Sequence, residues 1–290
     1  MYTDGVDVTI NGFNITSTDT LGSEWIVTEI DGFLDGAAST LQTTQRTWAD
    51  GTFANQPFYG GRVVTLTGYV RGTNTKNAAD SWDMLKLALS LDDQDVVIDW
   101  RGYRRLVRAR QSSSPLVEFF DPRTLKFNIE VTSSSPWFYS AGGEQTKTAL
   151  LPSSVGGMSF DYAFADTVQE APSSWVFPES YTSGSLNITN QGTAPLDYVI
   201  KIWGLATNPV ITQEGTDYKL GLSTTVNSNE FVSFNSRTHD ILLNGVTPSQ
   251  GIISSREWFT LNAGVNTLHF SADSGDNTAH IEITYIEAWL

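Results

Sequence analysis

The segment 124–131, "TLKFNIEV", alternates apolar and polar residues without a break, and this period of two constrains the chain more than any other feature. Leu125, Phe127, Ile129 and Val131 face one way, and Thr124, Lys126, Asn128 and Glu130 face the other, which predicts a half-buried strand with one wet face. "RVVTLTGYV" (62–70) is β-branched, with Gly68 marking a bulge or a close backbone approach. "SLNITN" (185–190), "YVIKIW" (198–203), "NTLHFSA" (266–272) and "HIEITYIEAW" (280–289) repeat the pattern, and Asn244-Gly245 signals a tight turn.

One segment departs from it. "NAADSWDMLKLALSL" (77–91) has helical spacing, with Trp82, Leu85 and Leu89 in one stripe and Met84, Ala88 and Leu91 beside it. Asn77 is the expected N-cap and Asp80 the expected first-turn acid. The chain therefore reads as all-β with one helix that covers a sheet face. Ser, Pro and Gly collect in "SSSPWFYSAGGEQ" (133–145), which predicts a boundary between an N-terminal domain, 1–140, and a C-terminal β-sandwich, 141–290. Residues 152–184 lack periodicity and read as long loops or a linker.

With 290 residues, the chain can bury a full core without disulfides, and it has no cysteine to make them. The start, "MYTDGVDVTINGF", lacks the basic and apolar regions of a signal peptide, and no apolar run reaches the roughly 20 residues of a membrane span. A soluble chain without membrane insertion is expected.

The catalytic inventory is thin. Three histidines, His239, His269 and His280, are scattered, and no zinc, serine-hydrolase or phosphate-loop motif is present. No catalytic residue, cofactor or metal is expected. "LDDQD" (91–95) reads as a solvated acidic turn, because it lacks EF-hand spacing. Trp203 and Trp258 sit in alternating segments and are expected to pack, whereas Trp175, in "APSSWVF", is the candidate for stacking on a glycan ring.

Charge is uneven. The net charge is −15, divided as −5 over residues 1–140 and −10 over 141–290, yet "RGYRRLVRAR" (101–110) holds five arginines. As a strand, it places Tyr103, Arg105, Val107 and Ala109 on one face and Arg104, Leu106, Arg108 and Arg110 on the other. Sequence-specific DNA reading needs an element shaped for a groove, and none is visible. The basic face suits carboxylates on nearby strands or on a neighbouring subunit, or a passage for a phosphate backbone.

Several segments, taken in order, resemble the distal tail proteins (Dit-like minor tail proteins) of long-tailed bacteriophages. These are "WIVTEIDGF" (25–33), "DGTFANQPFYGGRVVTLTGYVRG" (50–72), the helix with "LKLAL", "IDWRGYRRLVRAR" (98–110) and "LKFNIEVTSSSPWFYS" (125–140). The family often closes this part with Asp-Pro-aromatic, where this sequence has Ser135-Pro136-Trp137. The series continues with "GSLNITNQGTAPLDYVIKIWGLATNPVI" (184–211), "FVSFNSRTHDILLNG" (231–245) and "EWFTLNAGVNTLHFSA" (257–272). The resemblance implies a ring-forming belt domain, a tail-tube-like split β-barrel, followed by a galectin-like or carbohydrate-module-like β-sandwich. It further implies a non-enzymatic homo-hexamer at the virion's tail tip. Its implied neighbours are the tail tube protein, a tail-tip hub or tape-measure-associated protein, and receptor-binding proteins or side fibres, with DNA only in transit. In that setting Arg104, Arg108 and Arg110 are candidates for the ring interface or the channel. The alternative is a carbohydrate-binding module that recognises a host cell-surface glycan.

Overall fold

The computed structural model describes residues 5–152, 184–248 and 250–290. The chain divides into two compact units, one of residues 1–143 with 287–290 and one of 144–286. Among the described residues it is nearly all β, with one α-helix.

In the first unit the strands are β1 (Val6–Ile10), β2 (Glu24–Asp31), β3 (Arg62–Arg71), β4 (Gln94–Trp100), β5 (Tyr103–Gln111), β6 (Leu116–Asp121), β7 (Thr124–Ser133) and β8 (Phe138–Ser140), with α1 (Thr75–Ala88) after β3. All pair antiparallel, in two groups. One runs β1-β4-β5-β8 and ends on the C-terminal strand Ala288–Trp289. The other runs β2-β3-β7-β6. Among the described residues they join where Arg110 and Gln111 of β5 meet Thr132 and Val131 of β7. The path stays open among the described residues.

Alternation places the core. Leu125, Phe127, Ile129 and Val131 of β7 are buried with Val64, Leu66 and Val70 of β3 and with Trp25, Val27 and Ile30 of β2. Phe127 lies 5.6 Å from Trp25 and 6.3 Å from Trp82 of α1, ring centre to ring centre. Cutting so contacted a ring back to alanine costs about 3–5 kcal/mol. Gly68 is a close approach: a Cβ there would fall 2.2 Å from the Ile26 carbonyl oxygen and 2.6 Å from the Phe127 ring. The register shift lies opposite, between Val27 and Glu29 of β2.

The helix begins earlier than its spacing suggested. Asn74, in extended conformation, is the N-cap, and its side chain accepts from the Asn77 amide at 2.9 Å. Asn77 lies inside the helix, where its own side chain donates to Thr73 and to the Leu21 carbonyl. Two asparagines three positions apart both satisfy the sequence signal, and the outer one wins because the inner one has partners outside the helix. Asp80 therefore lies beyond the first turn and pairs with Lys76. Ala78, Ser81, Trp82 and Leu85 form the buried stripe. The helix ends at Ala88, so Leu91 is exposed rather than packed beside it.

Among its described residues the second unit has, besides a small sheet of Thr225–Val226, Ala206–Thr207 and Ser274–Gly275, two large antiparallel sheets. One holds β9 (Gln145–Leu150), β11 (Tyr198–Trp203), β14 (Phe231–Asn235), β15 (Ile241–Leu243) and β18 (His280–Tyr285), ordered β9-β18-β11-β14-β15. The other holds β10 (Ser185–Asn190), β12 (Val210–Gln213), β13 (Lys219–Leu222), β16 (Ile253–Arg256) and β17 (Gly264–Ser271), ordered β10-β17-β12-β13-β16. Alternate residues of both sheets are buried, Ile200, Ile202, Phe234, Ile281 and Ile283 on one and Ile188, Ile211, Leu220, Leu268 and Phe270 on the other, the signature of a sandwich. Asn244 and Gly245 turn between β15 and the short pair beyond it, both with positive φ.

Candidate assembly surfaces

The arginine strand is β5, and a two-residue turn joins it to β4. Arg101 and Gly102 both have positive φ (52° and 91°), which matches the twist of the hairpin. The register sets Arg104 opposite Asp99 and Arg108 opposite Asp95. Arg110 donates to both carboxylate oxygens of Asp93, at 2.7 and 3.3 Å. That hydrogen bond and the Asp93 charge raise its pKa. Arg108 lies 3.6 Å from Asp95. The acidic "LDDQD" segment is thus the partner of the basic strand. The two read separately in sequence because nothing there fixes their register.

Arg104 differs from its neighbours. The carboxylate opposite it, Asp99, accepts from the Gly102 amide at 3.0 Å, and the Arg104 side chain is exposed with no ion pair among the described residues. Arg105 turns inward with Val107 and Ala109. Its guanidinium sits 3.6 Å over the Trp289 ring and 5.5 Å from that of Tyr103. Burial lowers its pKa, against the charges of Tyr103 and Glu287. This contact, which holds the chain's C-terminal strand, has no sequence signal at all.

A second surface was not anticipated. Residues 38–60 form an exposed hairpin arm, with Ser39–Thr40 paired to Phe58–Tyr59 and Thr43–Gln45 paired to Thr52–Ala54. Its root is built firmly. Gly32 has φ +80°, and a Cβ there would meet the Val63 carbonyl oxygen at 2.0 Å; one on Gly61 would meet the Ser133 oxygen at 2.4 Å. Buried Arg62 donates to the carbonyls of Gly32, Asp35 and Pro136. Tyr59 packs edge-on against Trp137. Beyond the root the arm exposes Leu41, Trp48, Phe53 and Phe58, and Trp48 at the tip is 96% exposed.

A third surface lies on the outer face of β6-β7-β3-β2. A groove of about 570 Å³ is lined by Glu29, Thr67, Leu116, Glu118, Lys126 and Asn128, among others. Asn128 donates to Thr67 across its floor at 3.0 Å. β6 borders it, paired on one side only among the described residues, with Leu116, Val117, Phe119 and Phe120 exposed.

In the second unit, Trp203 and Trp258 are half-buried, Trp203 against Phe231 (4.4 Å) and Trp258 between His239 (4.8 Å) and Phe234 (6.4 Å). His269 bonds Ser185, and His280 bonds the Thr278 carbonyl. Among the described residues no group of histidines and carboxylates is arranged to hold a metal. Trp175, the glycan-stacking candidate, lies outside the described residues, as does most of 152–184.

Residues 191–289 match the family model for the siphovirus-type tail component, C-terminal domain. Over its whole length the chain resembles the crystal structure of SPP1 Dit, described as a paradigm of the hub adsorption apparatus in phages that infect Gram-positive bacteria. The TM-score is 0.67 at 15% identity, with 98% of this chain and 99% of that one covered. The baseplate of phage P2 in its activated, calcium-bound conformation shows a looser likeness: TM-score 0.47, 9% identity, 97% of each chain. That likeness is too loose to argue from. No curated protein matches the sequence. By sequence over residues 191–289 the chain is thus similar to the siphovirus-type tail component, and by fold over its whole length it is similar to SPP1 Dit.

Proposed function

We infer that the protein is a structural virion component without catalytic activity, a homo-hexameric ring at the distal end of the phage tail. The ring would join the tail tube to the tip hub and carry the receptor-binding apparatus around a channel for DNA. The observation that carries this reading is the family match over 191–289, supported by the Dit fold along the whole chain. The surfaces of the first unit agree with it. Its arginine strand is neutralised at Arg108 and Arg110 by its own carboxylates, which leaves little positive field to hold a polyanion in passage. Arg104 is the member of the set free to meet a neighbouring copy, where a guanidinium makes bidentate bonds to carboxylate.

Two measurements test the reading. Negative-stain images of the purified protein, or of the protein captured on tail tubes, should show sixfold rings with a central hole. In virions, an affinity label on this chain should decorate the distal tip, and label along the tube or at the capsid would refute the assignment. Arg104→Glu should lower ring yield and make what remains more salt-sensitive. Rings unchanged in yield and salt response would remove Arg104 from the interface.

A further inference from the structure

The loop between β14 and β15 is held more firmly than a turn requires. The Asn235 side chain accepts the amides of Arg237 and Thr238 at 3.0 and 3.3 Å, and the His239 amide donates to the Asn235 carbonyl at 2.8 Å. His239 sits at φ +58°, a left-handed conformation uncommon for any residue with a Cβ. Two further contacts fix it there. Arg256, at the end of β16, donates to the His239 carbonyl at 2.7 Å. The His239 ring stacks on that of Trp258, centre to centre 4.8 Å and 19° from parallel. A loop of one sheet is thus tied to the edge strand of the other.

A cleft of about 200 Å³ lies at this tie. Ile241, Leu242 and Ile253 give it apolar lining, and His239, Asp240 and Arg256 give it polar lining. Ile241 is buried, Leu242 and Ile253 are half-buried, and the three polar residues are exposed. Among the described residues, the Arg256 side chain bonds that one carbonyl and makes no ion pair, Asp240 makes none either, and the His239 ring has no hydrogen bond. An unpaired carboxylate and an unpaired guanidinium beside one cleft leave an acceptor and several donors for whatever occupies it. Sites for drug-sized ligands run to roughly 300–1,000 Å³, so this one takes a single ring.

The two charges select its class. An anion would meet Asp240 and the excess acid of residues 141–290, net charge −10, and a cation would meet Arg256. A neutral ring with C–H groups on its face and hydroxyls on its edge meets neither repulsion. Its face covers the apolar lining, while its hydroxyls donate to Asp240 and accept from Arg256 in charge-assisted hydrogen bonds. That is the chemistry of a pyranose. The stack of His239 on Trp258 fixes one side of the cleft before a ligand arrives, which lowers the ordering cost of binding.

We propose that this cleft binds one neutral hexose ring, the end residue of a glycan. The site is separate from Trp175 and does not depend on the ring reading, so either can fail alone. The test is saturation-transfer NMR on the full-length protein. Methyl glucoside, methyl galactoside and N-acetylglucosamine are the neutral probes, and glucuronate and inorganic phosphate the anionic ones.

At least one neutral probe should receive saturation on its ring C–H protons, with a dissociation constant on the order of 1 mM for so small a ligand. The anionic probes should bind more weakly. Asp240→Ala should weaken sugar binding about 10-fold, the loss of one charge-assisted bond. Thr238→Trp should abolish it by filling the cleft, because Thr238 is an exposed part of the lining. Both positions are exposed, and far-ultraviolet circular dichroism should show both variants folded. No transfer to any neutral probe would overturn the proposal. So would binding that survives either substitution, which puts the sugar elsewhere on the molecule. Glucuronate or phosphate bound as tightly as the best neutral probe would overturn it too, by making the cleft an anion site.

Discussion

Arg62 lies with its guanidinium 4.1 Å over the Phe138 ring while it donates to the carbonyls of Gly32 (2.9 Å), Asp35 (2.6 Å) and Pro136 (3.2 Å). The residue is 3% exposed, and burial lowers its pKa against the opposing charge of Asp35. It ties three chain segments to the root of the arm. Replacement by methionine fills much of the space but leaves three carbonyls without their donor. The expected loss is about 3 kcal/mol in chemical unfolding of the first unit. Arg62→Lys should cost less, since an ammonium keeps the charge and one or two of the bonds, but it loses the planar stack. Equal stability of Arg62→Met and the unaltered protein would show that the cluster is ornamental. The arm should also be cut faster by protease in Arg62→Met, which reports on its root independently.

Asp19 organises the turn before β2. Its carboxylate accepts the amides of Leu21 and Ser23, both at 2.9 Å, and the Trp25 indole N–H at 3.0 Å. Burial alone would raise its pKa, but the hydrogen bonds, including one with Ser81, together outweigh it and hold the carboxyl below the usual range. A depressed folded-state pKa means that the unfolded chain binds the proton first. The stability that Asp19 contributes is therefore present above about pH 4 and is lost as pH falls through its folded value. Asp19→Asn should cost about 1–3 kcal/mol near neutral pH, because the amide nitrogen now faces donors. The acid-side slope of stability should flatten in the same variant, and an unchanged slope would assign it to other carboxylates.

Cross-strand pairs on the β4–β5 surface should behave differently. Arg110 and Asp93 are exposed, and exposed pairs contribute little to stability whatever their geometry. Asp93→Asn should leave the urea midpoint of the first unit unchanged. A clear drop would mean that the arginine strand is held in place by its carboxylates and is more than solvated by them.

How much of this could be read in advance depended on the range of the interaction. Period-two alternation located β7, β3 and, in the second unit, β10, β11, β17 and β18, because burial on one face of a strand leaves a local trace. The helix was legible for the same reason, though its cap was not, since Asn74 and Asn77 offer the same chemistry and only the Thr73 and Leu21 partners separate them. The arginine strand was legible as a strand and opaque as a surface. Its partners, Asp93 and Asp95, come from a segment that reads as a loop, and the register that joins them is a tertiary fact. The arm left no trace because its side chains have no inside and outside to alternate between.

In the second unit, Tyr198 is buried with its ring stacked on Phe259, centre to centre 5.0 Å, and its hydroxyl donates to the Phe259 carbonyl at 3.0 Å. Burial raises the phenol's pKa well above its usual value, and the bond to that carbonyl does not offset it. The folded state thus holds its proton where the unfolded chain releases it. The contribution of Tyr198 is fully present below about pH 10 and declines as pH rises beyond it. Tyr198→Phe keeps the ring and removes the hydroxyl. Near neutral pH it should cost about 1 kcal/mol for the orphaned carbonyl. Above pH 10 the variant should lose stability less steeply than the unaltered protein, so the gap between them narrows. Parallel curves across that range would place the alkaline loss elsewhere in the unit, and a gap that widens would mean that the phenolate is better accommodated than its burial suggests.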